Sequence, residues 1–175
     1  SVEALWVAEK LGTNRFVTEQ PPYNILDRRI ERGLLPMAKQ YGYGIIPWSP
    51  LAGGLLTGKY KRGVDAPAGS RFENPNPQAA KRFTEHVFTV TEALEALVAK
   101  KGVSMSQFAL AWVLNQPVVT SPIIGPRTME QLEDNLLAVD VELSESDAAA
   151  VDEIVPPGGM VAPFYQADFG AAVYR

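Results

Sequence analysis

The sequence lacks cysteine altogether and contains a single histidine, His86, in 175 residues. The absence of cysteine excludes a disulfide framework, a cysteine-based zinc site and thiol chemistry, and it suits a cytoplasmic location. His86 stands at the start of a predicted helix and belongs to no recognisable motif, so we interpret it as a structural or surface residue. Acid–base chemistry that depends on several histidines is therefore excluded for this sequence.

Long hydrophobic runs and an excess of positive charge are also absent. No apolar run approaches the roughly 20 residues of a membrane span, and the first residues resemble no secretory signal. The formal net charge of −4 argues against non-specific binding of nucleic acid. Hydrophobic residues make up 46% of the chain, which predicts one soluble domain with a sizeable core. The sequence begins as if inside a helix, so we expect it to be a fragment.

Strand and helix patterns alternate along the chain. Short apolar runs predict three strands, at residues 15–20, 43–49 and 118–124. Helical periodicity predicts helices at residues 3–11, 27–41, 88–101, 106–115, 128–138 and 144–155, with a kink or a restart at Pro36. The helix at 106–115 is apolar nearly all round, so we expect it to be well buried.

Two irregular segments interrupt this alternation. Residues 50–87 are rich in glycine and proline, and a segment of this length is typical of a functional lid, a binding loop or a disordered region. Residues 156–175 form an irregular, aromatic tail. Helix starts are marked more clearly, because Ser104 with Gln107 and Thr128 with Gln131 are spaced as capping boxes, and Ser144 with Asp147 marks the start of the last helix.

Alternating strands and helices predict a parallel sheet joined by right-handed crossovers. No Gly-x-Gly-x-x-Gly motif follows a strand, which counts against a Rossmann domain. In a parallel barrel the chemistry lies at the carboxyl ends of the strands, which here are Gln20, Trp48-Ser49 and Gly125–Arg127. A complete eight-stranded barrel needs about 200 residues or more. The chain is therefore predicted to form the second half of one.

The turn after the third predicted strand has the features of an anion site. Gly125 ends the apolar run, Arg127 follows at once, and Thr128 begins a helix. Backbone N–H groups and the positive end of a helix dipole favour a phosphate at such a turn. An ordinary strand–turn–helix with a surface arginine would show the same local sequence, so both interpretations stand on this segment alone.

Four motifs in order resemble the aldo-keto reductases, most closely the branch that includes potassium-channel β subunits and related bacterial reductases. The motifs are Gln20–Asn24, Trp48–Tyr60, Ser70-Arg71 and Ile124–Asn135. The resemblance implies a (β/α)8 TIM barrel that binds NADPH without a Rossmann domain. Residues 1–175 would then be a single domain forming the C-terminal half of that barrel, with a long cofactor loop at 50–87.

The resemblance also implies individual roles at the nicotinamide end. Gln20 would hydrogen-bond the carboxamide, and Trp48 would stack on the nicotinamide ring, since a flat apolar face covers one side and leaves the other open. The loop along the pyrophosphate would be Ser49, Pro50, Leu51, Ala52 and Gly53. Without the resemblance, Trp48 would be interpreted as a core residue.

The adenosine end is implied in the same way. Lys59 and Arg71 would reach the phosphates from the long loop, although alone they would be interpreted as a solvated basic loop. Gly125 and Arg127 match the adenosine-phosphate turn, where the planar guanidinium suits the 2′-phosphate. The adenine and its ribose would be contacted by Gln131, Asp134 and Asn135, which share one helical face.

The family's catalytic Asp, Tyr, Lys and His lie on early barrel strands that this sequence does not contain, so no catalytic residue is assigned. The resemblance implies the NADPH-binding half of an enzyme that reduces small aldehydes and ketones to alcohols. The alternatives are a non-catalytic NADPH-binding regulatory subunit, or an inactive half-barrel that self-associates. We expect a homo-oligomer or association with the missing N-terminal half, and Phe164 and Tyr165 in the tail would border the substrate pocket.

Overall fold

The computed structural model describes residues 2–74 and 82–162 as a mixed arrangement of helices and short parallel strands. The helices are α1 (Val2–Leu11), α2 (Leu34–Tyr41), α3 (Glu85–Val98), α4 (Met105–Leu114), α5 (Met129–Leu136) and α6 (Glu145–Ile154). The strands are β1 (Thr18–Glu19) and β2 (Gly44–Ile45), and 3-10 turns occupy Arg29–Arg32, Ala52–Thr57 and Leu137–Asp140. Phe164 and Tyr165 lie outside the described residues.

The strands are parallel, as the alternation predicted, but much shorter than the apolar runs. Thr18 pairs with Gly44 and Glu19 with Ile45. A third strand segment, defined here as residues 119–123, continues the sheet through isolated bridges from Ile45 and from Trp48. Prolines at 21, 22, 47 and 122 have no N–H to donate, which limits regular pairing in these runs.

Helix boundaries follow the caps more closely than the periodicity. The helix predicted at 88–101 begins at Glu85 instead, because the side chain of Thr84 accepts a hydrogen bond from the N–H of Val87. This helix start and the 3-10 turn Ala52–Thr57 both shorten the irregular part of the segment 50–87. The helix predicted at 27–41 is divided, but the restart lies at Leu34 and not at Pro36. Pro36 falls in the first turn of α2, where a missing N–H is tolerated.

The main core lies between α3, α4 and α6 and the segments that follow β1 and β2. Helix α4 is buried along most of its length, as its all-round apolar sequence predicted, and Phe108 and Val113 are fully buried. A smaller cluster joins α1 and α2 to β2 through Leu5, Ala38 and Ile45. The two clusters thus pack the helices against β2 and against the segments that follow β1 and β2.

Candidate cofactor site

The carboxyl ends of β1, β2 and the third strand segment meet at one edge. Trp48 forms parallel bridges with Pro22 on one side and with Ile123 on the other. Its N–H donates to the carbonyl of Pro21 at 3.0 Å, and its carbonyl accepts from the N–H of Tyr23 at 3.2 Å. The structure therefore brings together the three strand ends that the sequence singled out, with Trp48 in the middle.

Burial differs among the residues to which the resemblance gave a role. The exposed ones are Gln20, Lys59, Arg71, Gly125, Arg127 and Gln131. The half-buried ones are Trp48, Ser49, Leu51, Gly53 and Asp134. The buried ones are Pro50, Ala52 and Asn135. The basic side chains thus face solvent, whereas the loop after Trp48 is built into the fold.

That loop, residues 49–54, has an unusual backbone. Ser49 and Ala52 both adopt left-handed conformations, with φ values of 56° and 50°. Gly53 and Gly54 follow with φ values of 67° and 102°. A left-handed residue other than glycine costs of order 1–3 kcal/mol, and such residues concentrate at functional sites. The strain makes residues 49–54 a candidate for close backbone contact with a ligand.

Lys59 packs against this loop. A Cβ atom added to Gly54 would lie 2.8 Å from Cε of Lys59 and 3.0 Å from its Nζ, so the flexible end of the lysine occupies the space beside this glycine. The ammonium also lies 5.2 Å from the centroid of the Tyr60 ring. The positive charge is therefore held beside the strained loop, which is a contact that sequence reasoning did not assign to Gly54.

The predicted capping box at the start of α5 is only half formed. Thr128 accepts from the N–H of Gln131 at 3.2 Å, as a cap requires. The side chain of Gln131 accepts instead from the N–H of Arg127 at 2.9 Å, one residue before the cap. The prediction of a reciprocal box was therefore wrong, and Gln131 braces the arginine turn instead.

Arg127 connects this turn to the long loop, since its Nη2 donates to the carbonyl of Gly69 at 2.7 Å. The neighbouring hydroxyl of Ser70 is buried and has no hydrogen-bond partner among residues 2–74 and 82–162. Burial and the nearby charge of Arg71 both lower the pKa of Arg82. The long loop therefore carries a hydroxyl that can still donate, in the residue next to the carbonyl that Arg127 holds.

The three residues predicted on one face of α5 have different surroundings. Asp134 accepts from Nε2 of Gln107 at 2.7 Å and from Oγ of Ser104 at 3.0 Å, which ties it to the start of α4. Asn135 is only 8% exposed. The spacing of Ser104 and Gln107 predicted the capping box of α4, which the structure confirms, but it does not indicate that this box also holds Asp134.

A charged network lies beneath the strand ends. The Tyr23 hydroxyl donates to Oε1 of Glu31 at 2.6 Å, and burial and this contact raise the pKa of the tyrosine. Arg28 is 4% exposed and donates to Glu31 at 2.8 Å and to Asp152 at 2.7 Å. Burial opposes the charge of Arg28, but these two contacts outweigh it and raise its pKa. The network joins the segment after β1 to the carboxyl end of α6.

Three of the four tyrosines in the described residues, Tyr23, Tyr43 and Tyr60, are buried. The fourth, Tyr41, is half-buried and ends α2. His86 lies exposed in the first turn of α3. Within the described ranges, no three carboxylate or imidazole side chains cluster as a metal site would require. No helix in the same ranges is both long and apolar enough to cross a membrane.

The donor set fits a dinucleotide that carries several phosphates. Lys59, Arg71 and Arg127 come from two loops and supply three positive charges, and the buried hydroxyl of Ser70 adds an unused donor. Trp48 supplies an aromatic surface at the edge where the strands end. The three cationic side chains suit the phosphates of such a ligand, and the indole of Trp48 suits its flat ring.

Comparison with known proteins gives an independent result. The chain is 41% identical over 159 residues to an uncharacterized oxidoreductase of Bacillus subtilis, covering 90% of this chain and 46% of that protein. It is 39% identical to a probable voltage-gated potassium channel subunit beta of Oryza sativa, over 79% of this chain and 43% of that protein. It is 37% identical to L-glyceraldehyde 3-phosphate reductase of Escherichia coli, over 82% of this chain and 42% of that protein.

The chain thus spans less than half the length of these curated relatives. The Aldo/keto reductase family matches residues 1–156, which include all four motifs. That match confirms the resemblance seen in the sequence, including its branch, since oxidoreductases and channel β subunits both occur among the relatives. The chain belongs to the aldo/keto reductase family.

Proposed function

We propose that the chain is the NADPH-binding second half of a (β/α)8 barrel in an enzyme that reduces aldehydes or ketones to alcohols. The observation that carries the proposal is the meeting of three parallel strand ends at Trp48, followed by the strained loop 49–54. In barrels of this class, ligands bind at the carboxyl ends of the strands. The chain then supplies the cofactor clamp of the complete protein.

Each part of the clamp has a chemical task in this proposal. Gln20 hydrogen-bonds the carboxamide and Trp48 covers one face of the nicotinamide ring, while residues 49–53 follow the pyrophosphate. Lys59 and Arg71 neutralise phosphate charge. When bound, NADPH supplies the hydride that reduces a carbonyl carbon.

At the adenosine end, Arg127 receives the 2′-phosphate beside Gly125, and Gln131 contacts the adenosine from the exposed side of α5. Asp134 and Asn135 remain candidate contacts, but the structure suggests an indirect contribution from Asp134. Its carboxylate already accepts two hydrogen bonds from the start of α4. In the proposal, Asp134 fixes the position of α5 and does not contact the adenosine directly.

The proton that completes the reduction needs a donor from outside this chain. The buried Tyr23, Tyr43 and Tyr60 stand away from solvent, and the family's catalytic Asp, Tyr, Lys and His belong to the other half of the barrel. We therefore expect the 175-residue chain alone to be inactive, and the complete protein to act on a small carbonyl compound in the cytoplasm.

A second candidate is a regulatory subunit that binds NADPH without turnover. It is favoured by the 39% identity to the probable channel subunit beta of Oryza sativa. The two candidates share the same clamp and differ in turnover. Steady-state oxidation of NADPH by the complete protein with a panel of aldehydes separates them, because the regulatory subunit would bind the cofactor and leave it unoxidised.

Titration with NADPH, followed by tryptophan fluorescence, tests the clamp itself. Saturable quenching is expected, and it should largely disappear in Trp48→Leu. Trp6→Phe is the matched control, since Trp6 is 67% exposed on α1 and has no contact assigned in the clamp. Quenching that does not saturate, or that persists unchanged in Trp48→Leu, would contradict the proposal.

A further inference from the structure

Asn24 occupies a fully buried position in the segment that follows β1 and contacts the strained loop. Its Oδ1 accepts from the N–H of Leu26 at 2.9 Å and from the N–H of Asp27 at 3.0 Å. Its Nδ2 donates to the carbonyl of Ser49 at 3.1 Å. Because two N–H groups face one end of the amide and a carbonyl faces the other, these contacts fix its orientation.

This side chain extends the parallel ladder beyond the backbone. Pro21 accepts from the N–H of Trp48, and the N–H of Tyr23 donates to the carbonyl of Trp48. The next link is made by the side-chain amide of Asn24, which reaches the carbonyl of Ser49. The connection between β1 and β2 therefore continues up to the residue at which the chain turns left-handed.

Ser49 needs such support because its own conformation is unfavourable. Its φ of 56° lies in the region that residues with a Cβ rarely adopt. Its carbonyl accepts two hydrogen bonds, from Asn24 and from the N–H of Ala52 at 3.0 Å. A strained backbone conformation persists only where several surrounding contacts fix it.

We propose that Asn24 is a positioning residue that holds Ser49 left-handed and thereby sets the course of residues 49–54 and the orientation of Trp48. The inference rests on the proposed function for its consequence in cofactor binding. Asn24 touches no ligand in this assignment, and it acts through the carbonyl of Ser49. Neither sequence periodicity nor the resemblance gave Asn24 a role.

The turn that contains Asn24 is stabilised by contacts of the neighbouring residues. The hydroxyl of Tyr23 and the guanidinium of Arg28 both donate to Glu31, and the second oxygen of Glu31 accepts from the N–H of Gly158 at 2.9 Å. These contacts flank the tight turn in which Asn24 and Asp27 bridge each other. Because these contacts hold the turn in place, the short side chain of Asn24 can fix the position of the loop 49–54.

The test is a double-mutant cycle in the 175-residue chain. Asn24→Ala is combined with Ser49→Ala and, separately, with Ser49→Gly. Both changes at Ser49 remove the hydroxyl, but only glycine relieves the left-handed strain. Asn24→Ala also removes the hydrogen bonds from the N–H groups of Leu26 and Asp27. That loss is the same in both backgrounds, so it cancels when the two effects of Asn24→Ala are compared.

In the Ser49→Ala background we expect Asn24→Ala to weaken NADPH binding about tenfold and to lower the urea midpoint. In the Ser49→Gly background the same change should weaken binding by less than about threefold. Equal losses in both backgrounds would overturn the inference, because Asn24 would then only close its own turn. If the parent chain binds no NADPH, the proposed function fails, while the coupling between the urea midpoints still decides whether Asn24 holds Ser49.

Discussion

The guanidinium of Arg127 donates a hydrogen bond to the carbonyl of Gly69, 58 residues earlier in the chain, at 2.7 Å. The contact links the turn before α5 to the long loop that carries Lys59 and Arg71. Arg127 therefore has two tasks in the proposal: it holds the long loop through Gly69, and it receives the 2′-phosphate. Its replacement should therefore affect both cofactor choice and the loop.

Replacing Arg127 by alanine should weaken NADPH binding about tenfold or more, and NADH binding far less, because only NADPH carries the 2′-phosphate. Isothermal titration with both cofactors measures the ratio. Arg15→Ala is a matched control, since Arg15 is also exposed and donates to backbone carbonyls, those of Tyr41 and Gly42 at the carboxyl end of α2. Equal losses for the two cofactors would exclude the 2′-phosphate role.

The helix caps show how far local sequence could predict this structure. Ser104 with Gln107 forms a reciprocal box, as the spacing predicted. Thr128 and Gln131 have the same spacing, yet Gln131 turns to the N–H of Arg127. Spacing fixes which atoms can meet within a turn, but a neighbouring backbone donor decides which of them do.

The site was less predictable than the fold, because its important contacts cross the chain. The motifs located the strand ends at Gln20 and Trp48, and the structure brings them to one edge. The left-handed turn at Ser49 and the tie between Asp134 and Gln107 depend on segments more than 20 residues apart. Such contacts leave no periodic trace in a single sequence.

Arg28 should be one of the most sensitive positions for stability. Arg28→Met should lower the free energy of unfolding by about 3 kcal/mol, because it leaves the carboxylate of Glu31, whose side chain is 13% exposed, without its charged partner. Urea denaturation measures the loss. Lys61→Met is the control: it breaks the more exposed pair with Glu95 and should cost less than about 1 kcal/mol. Similar losses for the two variants would contradict a special role for burial.

Asp147 makes stability depend on pH. Burial opposes its charge, but hydrogen bonds from Lys101 and Ser144 outweigh it and lower its pKa below the usual value of an aspartate. A lowered pKa stabilises the fold above the unfolded pKa, and this contribution is lost as the pH falls through the folded value. Asp147→Asn should therefore cost about 1 kcal/mol at pH 7, because it removes a negative charge from the first turn of α6 and from the pair with Lys101. The cost should become progressively smaller below about pH 4.

Urea midpoints at pH 7, 5 and 3 measure this difference between the parent and Asp147→Asn. Asp65→Asn serves as the control, since Asp65 is exposed in the long loop. The gap caused by Asp147→Asn should be equal at pH 7 and 5 and smaller at pH 3. A gap that widens on acidification would show that the carboxylate is not stabilised by its contacts.

The apolar surface beside β1 should make the isolated chain self-associate. Trp6, Leu11, Phe16 and Val17 are between 60% and 70% exposed, and β1 pairs with β2 on one side only within the described part of the sheet. An open strand edge next to exposed apolar side chains favours pairing with another chain. Sedimentation velocity at micromolar concentration should show dimers or larger species, and Phe16→Asp should shift them toward monomer. Val64→Asp, at a residue 67% exposed in the long loop, should not, and a parent chain that sediments as a monomer would contradict the expectation.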